Sequence, residues 1–282
     1  MIDKYEILKT AKLLGLQPTT VEKDYVLGWV LMAIQEHPEC QGKWIFKGGT
    51  CLKKCFFDNY RFSEDLDFTI LAQDHIEESL MRKILKDAGE WVYEQSGIEL
   101  PEKHISVDFY KNAHGVFSIE GKLTYFGPLK QKTNFPRIKL DLTAHEKVVL
   151  APEKRTIFHN YSDKPTNAPP ALSYCYEEIF AEKLRALAER ARPRDLYDVI
   201  HLYEERHRLS DKSKFMQSLS AKCEFKKIPV PTLEYIERHP QKMTLSSEWE
   251  NMLRHQLPEL KPFAYFWEQL EHVFEWVHFR LS

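Results

Sequence analysis

The chain has 282 residues, of which 43% are hydrophobic and 29% are charged, and its formal net charge is −2 with a pI near 6.6. This length and apolar content suffice for one large or two modest folded domains. A net charge near zero gives no global basic surface that would indicate a nucleic-acid partner. This weakens the case for an RNA substrate without excluding it, because contact with one nucleic-acid end needs only a few phosphates.

The sequence also argues against membrane and disulfide-rich classes. Its apolar runs are all shorter than the roughly 18 residues that a membrane span requires, and its start does not resemble a signal peptide, so we expect a cytoplasmic protein without a membrane partner. The cysteines are odd in number and lack Cys-x-x-Cys spacing, which disfavours a disulfide framework and a structural zinc site. They lie at positions 40, 51, 55, 175 and 223.

The N-terminal third is predicted to contain a helix, a strand and a glycine turn. A capping-box pattern at Thr19–Glu22 predicts a helix that runs to about residue 36. Residues 44–47 predict a short strand, Gly48-Gly49 a tight turn, and Thr50 the start of a helix. Such a turn aims backbone N–H groups at a phosphate.

Two carboxylates follow on the next predicted strand. Asp65 and Asp67 are two residues apart in an apolar run, so they project from one face of a strand while Leu66 and Phe68 face the core. Adjacent like charges are costly unless a cation joins them, and oxygen ligands favour a hard ion, most simply Mg²⁺, with Mn²⁺ as a substitute. The alternative is a solvated acidic strand end after an ordinary glycine turn.

A third carboxylate is predicted further along the chain. Helical periodicity spans residues 76–95, and residues 104–149 are predicted to be mostly strands. Alternating apolar residues in Arg137–Thr143 predict a half-buried strand with Lys139 and Asp141 on one face. If this strand lies beside the one that carries the acidic pair, Asp141 completes a triad. The alternative is an exposed Lys-x-Asp on an edge strand.

Beyond a proline-rich linker at residues 162–170, the whole chain is predicted to be helical. The helix at residues 176–192 has Lys183 inside its apolar stripe, where an ammonium needs either an anion or a path to the surface. A triphosphate is a suitable anion, and a side chain that extends to solvent is the alternative. The opposite, exposed face is expected to carry Glu178, Glu182, Arg185 and Glu189.

Two further helices are predicted in this half of the chain. Pro193 lies in the first turn of the first of them, where Asp195 suits the positive end of the helix dipole. Asp195 is predicted at the edge of the apolar stripe of this helix, and Asp198 is predicted to face away from it. The second helix, over residues 263–277, presents an apolar face to the core or, alternatively, to a partner.

The order of strand, Gly-Gly-Thr, helix and Asp-x-Asp resembles the nucleotidyltransferase superfamily. More narrowly, Lys47–Leu52 followed by Arg61–Asp67 resembles the AbiEii/AbiGii toxin family. Residues 181–198 and the C-terminal region around Trp249 are similar to later parts of that family. The resemblance covers roughly residues 20–275.

The resemblance implies an α/β (α+β) fold with a nucleotidyltransferase-like mixed sheet. The core would span residues 1–165, and a helical domain at residues 166–282 would complete the nucleotide site. Asp65, Asp67 and Asp141 would be catalytic and metal-binding, and either Asp195 or Asp198 would assist the chemistry. The nucleotide-binding residues would be Gly48, Gly49, Thr50, Ser63, Lys183 and Arg190.

The same resemblance implies a toxin of a toxin–antitoxin or phage-defence system, paired with a separately encoded antitoxin. It would transfer NMP from an NTP to an acceptor, either RNA such as a tRNA 3′ end or a protein. Two alternatives are a metal-dependent nuclease or phosphohydrolase and a non-catalytic module that binds a nucleotide or a partner.

Overall fold

A computed structural model describes residues 1–72, 76–111, 117–131 and 133–279 as two compact units. The first unit comprises Met1–Glu146 and Pro152–Ser173. The second comprises Lys147–Ala151 and the chain from Tyr174 onward. The functional division at residue 165 stays a prediction.

The first unit contains a mixed sheet with helices around it. Its sheet has the order β3-β4-β5-β2-β1-β7-β6, in which the central β2 is parallel to β5 and antiparallel to β1. The predicted mixed α/β fold is thus confirmed. The elements are α1 (Lys4–Leu14), α2 (Pro18–Glu36), β1 (Trp44–Lys47), α3 (Gly48–Cys51), a π-helical turn (Leu52–Phe56), β2 (Asp65–Ile70), α4 (Glu78–Ser96), β3 (Ile105–Lys111), β4 (Phe117–Thr124), β5 (Arg137–Thr143), β6 (Glu153–Arg155) and β7 (Ala171–Ser173).

Side-chain alternation explains why β2 and β5 form the centre of this sheet. Leu66 and Phe68 of β2 and Leu140 of β5 are fully buried, whereas the polar residues between them are only partly buried. Burying one face of each strand specifies the register, because a shift by one residue would exchange the two faces. The bounds of β1 and β5 match the strands predicted from the sequence, and Asp65 and Asp67 lie on a strand, β2, as predicted.

The first unit corrects several predicted boundaries. Helix α2 begins at Pro18 without a side-chain cap, so the capping box at Thr19–Glu22 is wrong. A proline is favoured in a first helical turn, and Glu22 instead accepts a hydrogen bond from the Leu129 N–H at 2.6 Å. The helix after the glycines begins at Gly48 rather than Thr50.

Two other boundaries differ as well. Helix α4 begins at Glu78, two residues later than predicted, where the Glu77 side chain caps its first N–H groups. The prediction that everything after residue 170 is helical is also wrong. Residues 171–173 form β7, which pairs with β6 and β1. Tertiary pairing outweighs the weak local pattern of so short a strand.

All regular secondary structure of the second unit is helical over the residues that the structure describes. Its helices are α5 (Tyr176–Arg190), α6 (Pro193–Glu204), α7 (Lys212–Lys226), α8 (Leu233–Glu237), α9 (Lys242–Ser247), α10 (Trp249–Leu253) and α11 (Phe263–His278). Helix α5 packs against α6 and α7, and α11 packs against α6. Phe266, Leu270 and Val273 of α11 are buried, so its apolar face belongs to the core of this unit. No helix in the described ranges is long and apolar enough to cross a bilayer.

The predicted exposed face of α5 is wrong. Glu178, Glu182 and Arg185 are all buried. The Glu178 carboxylate accepts hydrogen bonds from the N–H groups of Val149 and Leu150 at 2.9 and 2.8 Å. It also lies 2.9 Å from the Lys222 ammonium. These partners come from distant parts of the chain, so helical periodicity could not reveal them.

Candidate active site

The parallel pairing of β2 with β5 brings the predicted carboxylates together. Asp67 lies directly opposite Asp141, and Asp65 lies opposite Lys139. On the other side of β2, Lys47 of β1 lies opposite Asp67. Residues paired across strands project from the same face, so these side chains share one surface of the sheet. Asp141 is therefore on the neighbouring strand, where the sequence analysis expected a third carboxylate.

The first glycine of the turn lies against the acidic pair. Gly48 has φ +78°, in the left-handed region that glycine adopts without strain. A side chain at this position would overlap the Asp67 carboxylate. The positive φ and the lack of room for a side chain beside Asp67 therefore both require glycine at position 48. The backbone of Gly48 consequently lies close to the Asp67 carboxylate.

The second glycine and Thr50 connect the turn to the segment before β2. A Cβ atom on Gly49 would lie 2.6 Å from Arg61 Nη2 and 3.1 Å from Ser63 Oγ, so that segment lies against the turn. The buried Thr50 hydroxyl donates a hydrogen bond to the Asp65 carbonyl at 2.5 Å. Thr50 thus anchors the start of β2, and its hydroxyl would have to break this bond to reach a phosphate.

The environment of Asp65 opposes its ionisation. Burial raises the pKa of this carboxyl, and the negative charge of Asp141 raises it further, while Lys23 opposes both effects. The Lys23 ammonium lies 3.4 Å from a Glu64 oxygen, and Glu64 directly precedes the strand that carries Asp65. A bound cation would relieve the mutual repulsion of the two aspartates.

A row of alternating charges extends from Asp141 across the sheet. Lys139 Nζ lies 3.1 Å from both carboxylate oxygens of Asp141 and 2.8 Å from Glu120 on β4. Lys122 Nζ lies 2.5 Å from Glu120 in turn. We call Asp141, Lys139, Glu120 and Lys122 the charge ladder. Burial alone would lower the pKa of Lys139, but its hydrogen bonds to Glu120 and Asp141 raise it.

In the helical unit, the predicted residues form two ion pairs. Lys183 Nζ lies 2.7 Å from Asp198 and 3.9 Å from Asp195. Arg190 donates two hydrogen bonds to the Asp195 carboxylate, at 2.7 and 2.8 Å. Burial alone would raise the pKa of Asp195, but Arg190 and Lys183 lower it. The expectation that Asp198 faces away from the apolar stripe is wrong, because α6 buries both aspartates.

The family model described as nucleotidyl transferase AbiEii toxin, type IV toxin–antitoxin system, matches residues 29–277. The chain belongs to the AbiEii family. The resemblance stated from the sequence is confirmed, and the AbiEii chain is a nucleotidyltransferase of the toxin class. Membership implies an NTP substrate and an antitoxin partner.

Two solved structures share the fold of the AbiEii chain. The nucleotidyltransferase toxin MenT4 of Mycobacterium tuberculosis H37Rv is 16% identical with a TM-score of 0.64, over 100% of this chain and 91% of MenT4. JHP933 of Helicobacter pylori is 15% identical with a TM-score of 0.53, over 93% of each chain. No curated protein sequence matches the AbiEii chain significantly.

The donor set of the AbiEii sheet fits a hard divalent ion. In the described ranges, no three His, Cys, Asp or Glu side chains converge into a closed metal-binding group. Mg²⁺ commonly takes only one or two protein carboxylates, with water and substrate phosphates as its other ligands. Asp67 and Asp141 on adjacent strands supply such carboxylates. The buried Asp141 Oδ1 lies 3.1 Å from the Lys139 ammonium but accepts no hydrogen bond within the described chain, so its lone pairs are not used by a donor.

Two residues near the AbiEii site were missed by the sequence analysis. Lys47 Nζ lies 3.3 Å from Glu146, and the two side chains are 10% and 6% exposed. Lys47 directly precedes the glycine pair, and this position could have identified it from the sequence as a residue near the site. Glu146 gave none, because it lies in an irregular segment after β5 and its pairing with β1 depends on the tertiary fold.

Proposed function

We propose that this nucleotidyltransferase transfers NMP from an NTP to a hydroxyl group of an acceptor, with release of pyrophosphate. The acceptor is RNA, such as a tRNA 3′ end, or alternatively a protein. The chain would act in phage defence, and a separately encoded antitoxin would neutralise it. The observation that carries the proposal is Asp67, which faces Asp141 across the β2–β5 pair and lies against the Gly48 turn.

The acidic residues have distinct roles in this proposal. Asp65, Asp67 and Asp141 hold divalent metal, Mg²⁺ or Mn²⁺, which neutralises phosphate charge and polarises the α-phosphate when bound. Asp141 also orients the acceptor hydroxyl and accepts its proton. The hydroxyl oxygen forms a bond to the α-phosphorus as the bond to the pyrophosphate oxygen breaks, and pyrophosphate leaves with the electron pair.

The remaining predicted residues bind the nucleotide. Gly48 and Gly49 offer backbone N–H groups to phosphate, and Thr50 and Ser63 keep this turn beside the acidic strand. Lys183 and Arg190 neutralise phosphate charge, a role that suits donors held in place by buried carboxylates. Asp198 therefore positions Lys183, and Asp195 positions Arg190.

The alternatives have different products. A nuclease or phosphohydrolase could use the same carboxylates but would transfer no nucleotide to an acceptor. Membership in the AbiEii family favours transfer and argues against a module without catalytic activity.

The test is a labelling experiment with a matched pair of variants. The purified chain is incubated with Mg²⁺ or Mn²⁺, each α-³²P-labelled NTP, total cellular RNA and cellular protein. We expect label in a discrete RNA or protein band, reduced at least about 100-fold in Asp67→Asn because a group that stabilises the transition state is lost. Asp87→Asn on α4 makes the same substitution at a partly exposed carboxylate and should label as the wild type does. Hydrolysis of NTP without labelled acceptor, under all conditions, would contradict transfer.

A further inference from the structure

Lys139 occupies the position on Asp141 that a metal ion would need. Its ammonium is 3.1 Å from each Asp141 carboxylate oxygen and donates a hydrogen bond to Oδ2, so the two groups form a close ion pair. The side chains are only 34% and 29% exposed, which limits the solvent screening of the pair. Asp65 is the register partner of Lys139, so the ammonium lies among the carboxylates proposed to bind metal.

A lysine in this position affects divalent binding in two ways. The ammonium and the metal ion are both cations, so they repel each other if both remain close to Asp141. The metal would also have to replace the contacts that Lys139 makes with the carboxylate. Lys139 therefore weakens the binding of a metal ion that arrives without other ligands.

The charge ladder gives Lys139 a second anion. Glu120 lies 2.8 Å from the same ammonium and directly opposite Asp141 in the β4–β5 register. Lys139 can therefore leave Asp141 and keep Glu120 as its partner, without becoming an unpaired charge. Lys122, on the other side of Glu120, keeps that carboxylate beside β5.

We propose that Lys139 is a positioning residue that occupies Asp141 as an internal cation, and that a divalent ion binds Asp141 only by displacing the ammonium toward Glu120. The inference rests on the proposed function, since it assumes that Asp141 is a metal ligand. Phosphate oxygens add ligands that the bare ion lacks, so the displacement is favourable when metal and nucleotide bind together. Lys139 thus couples metal binding to nucleotide binding and compensates the charge of Asp141 before the substrate arrives.

The test measures metal binding directly, without nucleotide. The full chain is titrated with MnCl₂ at low ionic strength, and free Mn²⁺ is followed by electron paramagnetic resonance. We expect Lys139→Met to bind Mn²⁺ at least about tenfold more tightly than the wild type, because one repelling charge and one competing contact are removed. Lys139→Arg keeps the charge and should remain within about threefold of the wild type, and Lys122→Met, which removes a lysine that touches Glu120 but not Asp141, should do the same.

The outcomes separate this inference from the proposed function. Asp141→Asn in the Lys139→Met background should abolish the tight binding, which assigns the ion to Asp141. If the wild type binds Mn²⁺ through Asp141 and Lys139→Met binds no more tightly, the displacement inference is wrong and the metal site stands. If no variant shows binding that depends on Asp141, the metal assignment and the inference both fail. Unchanged near-ultraviolet circular dichroism establishes that each variant is folded.

Discussion

Lys183 and Asp198 form an ion pair, 2.7 Å between Nζ and Oδ2, that is almost fully buried among the helices of the second unit. Helical periodicity places Lys183 inside an apolar stripe, where its ammonium needs an anion or a path to solvent. The chain itself supplies that anion. A lysine paired this way is held in a fixed position, as a residue that neutralises phosphate must be.

Removal of Lys183 alone should destabilise the protein. Lys183→Met leaves the buried Asp198 charge without this partner, and we expect the free energy of unfolding to fall by about 3 kcal/mol. The double variant Lys183→Met/Asp198→Leu should recover most of the loss, because replacing both charges by apolar groups is often neutral. Urea denaturation followed by tryptophan fluorescence measures these values. Lys214→Met, at an exposed lysine of α7, is the control and should change little.

Gly48→Ala should reduce nucleotide transfer far more than it reduces the stability of the protein. Alanine at φ +78° costs about 1 kcal/mol of strain, and its methyl group would displace the Asp67 carboxylate. We expect nucleotide transfer to fall by about 100-fold. Gly15→Ala is the control, since Gly15 has φ +64° with open space around it. It should lose comparable stability with full transfer activity, and equal losses of activity in the two variants would contradict the role given to Gly48.

The ionised form of the Asp65 carboxyl should lower the free energy of unfolding. The folded-state pKa of Asp65 is raised above the ordinary value of 3.8, chiefly by burial, so the folded state binds its proton more tightly than the unfolded state does. The ionised carboxylate therefore opposes folding at neutral pH, and this penalty disappears as the pH falls through the folded pKa.

Asp65→Asn should accordingly raise the melting temperature at neutral pH, in the presence of a chelator. The gain should shrink as the pH falls through the folded pKa and be absent well below pH 3.8, where the carboxyl is protonated in both states. A gain that is constant from neutral pH to pH 4 would point to packing rather than charge. Asp87→Asn, which makes the same substitution at a partly exposed carboxylate of α4, serves again as the control.

The cysteines should be unreactive in the native protein. All five are buried and unbridged. Burial raises the pKa of the Cys40 thiol, and it raises that of Cys223 to about 11. The thiolate is the reactive form, so we expect fewer than about one thiol per chain to react with Ellman's reagent before unfolding, and all of them after it. Rapid reaction of several native thiols would contradict this packing.

The local elements of the site were predictable because their signals are local. Period-two alternation located β2 and gave the bounds of β5, and the glycine pair marked the point where β1 ends and α3 begins. The start of α2 was wrong because two adjacent start signals compete, a capping box and Pro18, and local pattern alone does not rank them. The polar face of α5 was wrong because residues 149 and 150, from outside the helix, satisfy the Glu178 carboxylate.

By itself, the sequence determined the family, the enzyme class and the candidate acidic residues, since these depend on residue types at short spacings. Only the tertiary structure decided that Asp67 faces Asp141, that Lys139 pairs with Asp141 and Glu120, and that Lys183 pairs with Asp198. Strand order, strand register and buried ion pairs join residues that are far apart along the chain. They are set by which apolar faces can be buried together, a property of the folded chain as a whole.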